Sequence, residues 1–290
     1  MSYKHYGRIG DIWKHLPLCN FLLNEKPRFY IETNSAQPYY HFTYSPERDY
    51  GIGTVINNAL KSDIIANSIF YQTLLNNNKN IMNLNEYLGS PGLAMNILKN
   101  NVEKYIFCDI DENSLNAINE YSLKINLFNK VETYKNDSIK TIDSLINNFS
   151  CLDFIHIDPY SILNKNIDGK TYFDTFLDSV KKGIKSMLWY GYENNSQRKY
   201  LNNWMKEKIK SSCIQSDNNV ILIELFLSSI KENEVVVNPG VVGSGVIIGN
   251  LSQKSINEFD SFSNELVNIY QDSIILDKYS GKLEKNKFIF

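Results

Sequence analysis

Between residues 104 and 190 the chain alternates strand-like and helix-like segments, and that alternation limits the possible architectures more than any other feature. Tyr105–Asp109, Val131–Tyr134, Leu152–Ile157 and Met187–Tyr190 are short segments rich in β-branched and aromatic residues, which predicts strands. Between them, Glu112–Ile125, Ser138–Phe149 and Phe173–Lys182 carry helical periodicity. Strands separated by helices of this length form a mostly parallel sheet covered on both faces. Arg28–Thr33 predicts an earlier strand, and Asn219–Leu227 and Val241–Ile248 predict two more at an antiparallel edge. The expected fold class is therefore α/β, with a Rossmann-like, doubly wound sheet.

A chain of 290 residues, 43% of them hydrophobic, buries about 75% of its extended surface and suits one large domain with an insertion. The expected organisation is an N-terminal tail and helix over residues 1–27, a core over 28–53 and 81–252, an inserted helical subdomain over 54–80, and a C-terminal helix and tail over 253–290. In the head, Asp11 is placed to cap a helix carrying Ile12, Leu16, Cys19, Leu22 and Leu23, with Pro17 marking a kink or boundary. A net charge of -2 gives no global attraction for nucleic acid, so an RNA partner needs a local basic patch. The first thirty residues offer one, in Lys4, Arg8, Lys14, Lys26 and Arg28. Four scattered cysteines form neither a disulfide framework nor a Cys-x-x-Cys motif. No apolar run approaches the ~18 residues of a membrane span, and the N-terminus lacks a signal-peptide core, which together predict a cytoplasmic protein.

Three carboxylates, Asp109, Asp137 and Asp158, fall at or just after predicted strand ends, and in a doubly wound sheet that edge binds ligands. An acid after the second strand is placed to accept from ribose hydroxyls, and one after the third from an adenine amine. Each could equally be a helix cap or turn residue, Asp137 above all. The set serves a nicotinamide or a methyl-donor enzyme alike. No Gly-x-Gly-x-x-Gly follows a strand, and no phosphate-binding Gly-x-x-x-x-Gly-Lys-Ser/Thr is present. Ser90 and Pro91 read as the cap and first residue of a helix whose N–H groups could face a polar ligand. The four histidines have no zinc-like spacing, so no metal is expected, and His156 inside a strand reads as a core residue. Gly240–Gly245 could give close backbone approach or a tight strand edge.

In order along the chain, Ser2-Tyr3-Lys4-His5, Gly10–His15, Tyr87–Pro91, Phe107-Cys108-Asp109, Asn136-Asp137, Ile157–Tyr160 and Gly243-Ser244-Gly245 resemble the RlmJ family. These are class I methyltransferases dependent on S-adenosylmethionine (SAM) that methylate the exocyclic amine of an adenine in ribosomal RNA. The resemblance implies that Lys14 and His15 lie at the cofactor with the Asn34 loop, and that Ser90 binds its amino-acid end. It further implies that Asp109 holds the ribose and Asp137 the adenine. Asp158, Pro159 and Tyr160 would face the methyl acceptor, Asp158 also bordering the cofactor, while Tyr3 and His5 sit on a tail touching the target base. The implied partner is RNA, taken up by a monomer.

The departures are specific. The loop after the first strand reads Glu32–Gln37 and lacks the family's glycine and histidine. The Asp-Pro-Pro-Tyr corner is shortened to Asp158-Pro159-Tyr160, so the aromatic arrives one residue early. A different acceptor, such as a small molecule, a peptide or a guanine amine, or a non-catalytic SAM- or RNA-binding relative, stands as the alternative.

Overall fold

The computed structural model of the protein describes residues 6–212, 214, 218–227, 242–271 and 283–290. Its main sheet contains β1 (Phe29–Thr33), β4 (Lys104–Asp109), β5 (Val131–Lys135), β6 (Phe154–Ile157), β7 (Lys185–Tyr192), β8 (Ile221–Leu227), β9 (Gly243–Gly249) and β10 (Leu283–Ile289). The order across the sheet is β10-β8-β9-β7-β6-β1-β4-β5. The pairs β5–β4, β4–β1, β1–β6 and β6–β7 are parallel, while β9 lies antiparallel between β7 and β8, and β10 pairs antiparallel with β8. Beside it, β2 (Tyr39–His41) and β3 (Glu86–Leu88) form a two-stranded sheet. From β1 the chain winds outward to β4 and β5, then returns to β6 on the other side of β1. That reversal opens a crevice above the carboxyl ends of β1 and β6.

Side chains alternate between the two faces. Tyr30, Phe154 and Met187 join Trp13, Leu16 and Phe259 in one core, under α1 (Ile9–Glu25) and α11 (Gln253–Gln271). Ile31, Ile155 and Ile157 join Phe173, Phe176 and Met205 in the other, under α9 (Tyr172–Lys181) and α10 (Asn195–Ser211). Residues 46–77 supply the short helices α2 (Pro46–Arg48), α3 (Thr54–Asn58), α4 (Asp63–Ala66) and α5 (Ile69–Asn77), and α6 (Ser90–Leu98) packs against α1 and α5. The remaining crossovers use α7 (Glu112–Lys124) and α8 (Ser138–Leu145). No described helix is long and apolar enough to cross a membrane.

Several local expectations change. Arg8, not Asp11, is the N-cap of α1, which places Asp11 in the first turn. Pro17 lies inside that helix, because burial on almost every side outweighs a proline penalty of roughly 3 kcal/mol. Gly89 caps α6, so Ser90 is the first helical residue and its hydroxyl is free for another partner. The expected C-terminal tail instead contains β10, an edge strand held mainly by main-chain pairing and carrying Lys285 and Lys287, as edge strands tolerate. Gly243 and Gly245 sit in β9, where a Cβ would collide with the rings of Tyr192 and Tyr190. Their smallness accommodates neighbouring β7 side chains.

Three cations of the expected basic head are paired with acids, while Lys26 is exposed. Arg8 is 3.9 Å from Glu47, Lys14 lies between two carboxylates, and Arg28 grips the fully buried Asp153 at 2.7 Å. Lys4 is outside the described residues.

Candidate active site

The carboxyl edge around β1 and β6 gathers most of the predicted residues. Pairing of Leu188 with Ile157 and of Met187 with His156 sets Trp189 level with Asp158, on the face covered by α1. From that helix Lys14 reaches down, its Nζ 2.6 Å from Asp158 Oδ2 and 3.2 Å from Asp11 Oδ1. The same ammonium lies 5.4 Å from the centre of the Trp189 ring. Burial alone would lower the pKa of Lys14, but Asp158 and Asp11 override it and hold the group well above the ordinary lysine value. Asp11 is raised, chiefly by burial; Lys14 pulls against that shift and Asp158 adds to it.

A second polar layer lies beneath. Glu32, fully buried on β1, accepts from the hydroxyl of Ser90 and from Tyr30 at 2.8 Å, and its Oε1 is 3.3 Å from Nδ1 of the fully buried His156. His15 is also buried, its Nδ1 2.9 Å from the Tyr87 hydroxyl. Burial first, then Lys14 and His156, push the pKa of His15 well below the ordinary imidazole value, so this side chain is neutral.

On the other side of the crevice, Asp109 is almost fully buried at the end of β4. Its Oδ2 accepts from the backbone N–H of Ala36 at 3.0 Å and its Oδ1 from that of Asp111 at 2.8 Å. Each oxygen keeps a lone pair for a further donor. The loop after β1 has no glycine, yet Asn34 and Ala36 adopt left-handed backbone conformations with φ of 56° and 53°. Asn34 donates to the Tyr172 hydroxyl at 3.0 Å, and Tyr172 lies within electrostatic reach of both Asp137 and Asp109. Gly89 and Gly92 let Gln37 and Pro38 press against the start of α6, since a Cβ at either would overlap a loop carbonyl. Asp137 caps α8, accepting from Lys140 N at 2.9 Å, and remains partly exposed.

Sequence reasoning placed Lys14, His15, Asn34, Ser90, Asp109, Asp137, Asp158 and Pro159 near this edge, and each stands on an element that reaches it. Within the set, His15 and Ser90 are occupied by Tyr87 and Glu32, one layer below Asp158. Tyr160 turns outward and is 95% exposed. Tyr3 and His5 lie outside the described residues. The reading missed Glu32, Tyr172 and Trp189. Glu32 carried a signal, a charge ending an otherwise apolar strand, whereas Tyr172 and Trp189 looked like ordinary core aromatics.

The buried polar atoms without a partner among the described residues are His15 Nε2, Asn34 Oδ1, His156 Nε2, Trp189 Nε1 and the Tyr192 hydroxyl. All belong to α1, the loop after β1, β6 or β7. Orphaned groups are costly, so their concentration along the elements of one crevice marks a place shaped for something other than self-packing. The acceptors on the Asp109 side of the crevice, its carboxylate and Asn34 Oδ1, fit a ligand rich in donors, such as one carrying ribose hydroxyls. No group of three or more His, Cys, Asp or Glu among the described residues is spaced to hold a metal ion.

A family model described as O-methyltransferase matches residues 64–225, more than half of the chain. No curated protein matches it. Among solved structures, protein LPL1258 of Legionella pneumophila, described under the family model DUF519, aligns over 98% of both chains at 22% identity, with a TM-score of 0.75. That likeness shows a shared fold over nearly the whole length. A SAM-dependent methyltransferase of Agrobacterium tumefaciens aligns at 11% identity over 86% of this chain and 65% of its own, with a TM-score of 0.46. The Bacillus cereus O-methyltransferase solved with S-adenosylhomocysteine (SAH) aligns at 9% identity over 82% and 80%, with a TM-score of 0.43. These last two are too distant to bear on the site.

Proposed function

The chain belongs to the O-methyltransferase family, and we propose that this SAM-dependent methyltransferase acts on an exocyclic amino group of a nucleobase in RNA, adenine being favoured. The observation that carries the reading is the Asp158-Pro159 corner at the end of β6, held by Lys14 at 2.6 Å beside a half-buried tryptophan. The cofactor supplies a methyl group on a sulfonium, an electrophile for which positioning does much of the work. Asp109 would take the ribose hydroxyls and Asp137 the adenine amine, with Tyr172 fixing the Asn34 loop between them. The buried Glu32 would favour the cationic end of the methionine moiety by charge, acting through or beside Ser90.

On the acceptor side, the Asp158 carboxylate and the Pro159 carbonyl would accept the two amine protons. An amino nitrogen so held shifts toward a tetrahedral shape, and its lone pair leaves the ring system and points at the methyl group. Lys14 fixes the carboxylate in that orientation while leaving lone pairs for the amine. A polyanion also has somewhere to lie. Between α10 and β10 a groove of about 440 Å³ is lined by Arg198, Lys199, Lys206, Asn203 and Phe288. Lys199 and Lys206 form no ion pair among the described residues, and stacking rings beside cations suit single-stranded nucleic acid.

A hydroxyl acceptor is the second reading, favoured by the family's own description. Mass spectrometry of nucleosides from cells with and without the gene separates the two. Loss of one methylated nucleoside supports the RNA reading, and an unchanged set overturns it.

A further inference from the structure

We propose that Trp189 is the aromatic surface on which the planar acceptor stacks, in place of Tyr160. This rests on the nucleobase reading above. The two tryptophans on the α1 face of the sheet differ in a telling way. Trp13 is fully buried, stacks on Phe259 with ring centres 5.1 Å apart, and donates its N–H to the Ile223 carbonyl at 3.3 Å. It has every contact a core residue needs. Trp189 is only partly buried, and its indole N–H is shielded from solvent yet has no acceptor among the described residues. A tryptophan serving only to fill the core would pair that N–H or leave it in water.

Its position gives the remaining argument. The register of β6 with β7 puts Trp189 level with Asp158 on the same face, and Lys14 holds both, the carboxylate by an ion pair and the ring through its π face. Carboxylate and ring are thus fixed relative to each other by one cation. An amine hydrogen-bonded to Asp158 belongs to a ring system that extends from that point, and the neighbouring strand offers Trp189 beneath it. Tyr160 cannot fill the role in this conformation, since one proline fewer turns its ring out to solvent at 95% exposure. The unpartnered indole N–H, which points outward in the plane of the ring, then suits a sugar oxygen of the bound nucleotide beside the stacked base.

The test reads binding without turnover. The SAH-bound protein is titrated calorimetrically with a short single-stranded oligoadenylate, comparing the native chain with Trp189→Leu and Trp189→Phe, and the tryptophan fluorescence of the native chain is followed alongside. The native protein should be quenched on binding, Trp189→Leu should bind about tenfold more weakly, as expected for one lost stack, and Trp189→Phe should retain most of the affinity. Calorimetric affinity for SAH should stay within about twofold in both variants. Equal oligoadenylate affinity in the native and leucine forms overturns the stacking role while leaving the nucleobase reading intact. If oligoadenylate fails to bind but a catechol binds the native protein in the calorimeter and binds Trp189→Leu at least tenfold more weakly, the nucleobase reading falls and the stacking role stands. Loss of SAH binding in Trp189→Leu, or no response of the native protein to either probe, overturns the proposal.

Discussion

Replacing Lys14 by methionine strips the cation from between Asp11 and Asp158 while keeping most of the side-chain volume. The gross attraction being removed is large: at 2.6 Å and an effective dielectric near 20, the Lys14–Asp158 pair alone is worth roughly 6 kcal/mol. Desolvation offsets part of this, and breaking a buried pair from one side typically costs about 3–5 kcal/mol. Both carboxylates are 15% exposed, so water reaches them and the lower end, about 3 kcal/mol, is expected. At an m value of about 3 kcal/mol per molar, the urea midpoint at pH 8 should fall by ~1 M. The pH dependence has a definite sign. The raised pKa of Lys14 means that its contribution is complete below the ordinary lysine value of 10.5 and lost only as pH rises past the folded value. Without it two facing carboxylates remain, and Asp11 is already raised by burial. A carboxyl with a raised folded pKa penalises the folded state above that pKa and not at low pH. The deficit of Lys14→Met should therefore shrink as pH falls from 8 toward the ordinary carboxyl value of 3.8. An unchanged midpoint, or a deficit that does not vary with pH, would refute the ion-triad account.

Further outcomes are expected. His15 is held neutral while an unfolded chain protonates it below about 6.5, so acid destabilises the fold through this residue, and His15→Leu should remove up to one proton from the pH slope of stability between pH 6.5 and 5. Ala36→Val places a β-branched residue at a φ of 53° and should lower stability by about 2 kcal/mol in urea melts, weakening SAH binding with it. Gly92→Ala drives a methyl into the Pro38 carbonyl and should lower the thermal midpoint by several degrees, whereas an unchanged midpoint would mean that the loop yields freely. The double variant Lys199→Glu, Lys206→Glu should weaken oligonucleotide binding and flatten its dependence on salt, without altering affinity for SAH.

Much of this architecture was legible in the residues. The parallel strands β4, β6 and β7 announced themselves because a strand buried on both faces must be a near-continuous apolar run, and the helices between them carry clear stripes. Elements held by other means were hidden. α10 buries only Leu201, Asn202, Met205 and Ile209 on one narrow side, so its polar sequence masked a seventeen-residue helix. β10 takes its stability from pairing with β8, and a lysine-rich alternating segment looks like a tail until its partner is known. At the site, spacing sufficed to put Asp109, Asp137 and Asp158 on one edge. What spacing could not supply is which groups are already satisfied. Ser90 was read as a cap, yet it hydrogen-bonds a buried glutamate 58 residues upstream in β1. The basic head counted as a patch, yet Arg8, Lys14 and Arg28 each meet an acid that only the fold delivers. Trp189 gained its interest from the register that sets it beside Asp158 and from an indole N–H with no partner among the described residues.

Under the proposed function one sheet edge divides into a cofactor side at Asp109 and an acceptor side at Asp158, and calorimetry with SAH tests that division most directly. The native protein should bind the ligand, Asp109→Ala should bind it at least tenfold more weakly, and Asp158→Ala should bind it within about twofold of native while transferring no methyl group. Equal weakening by both substitutions, or no binding by the native protein above millimolar affinity, would contradict the account.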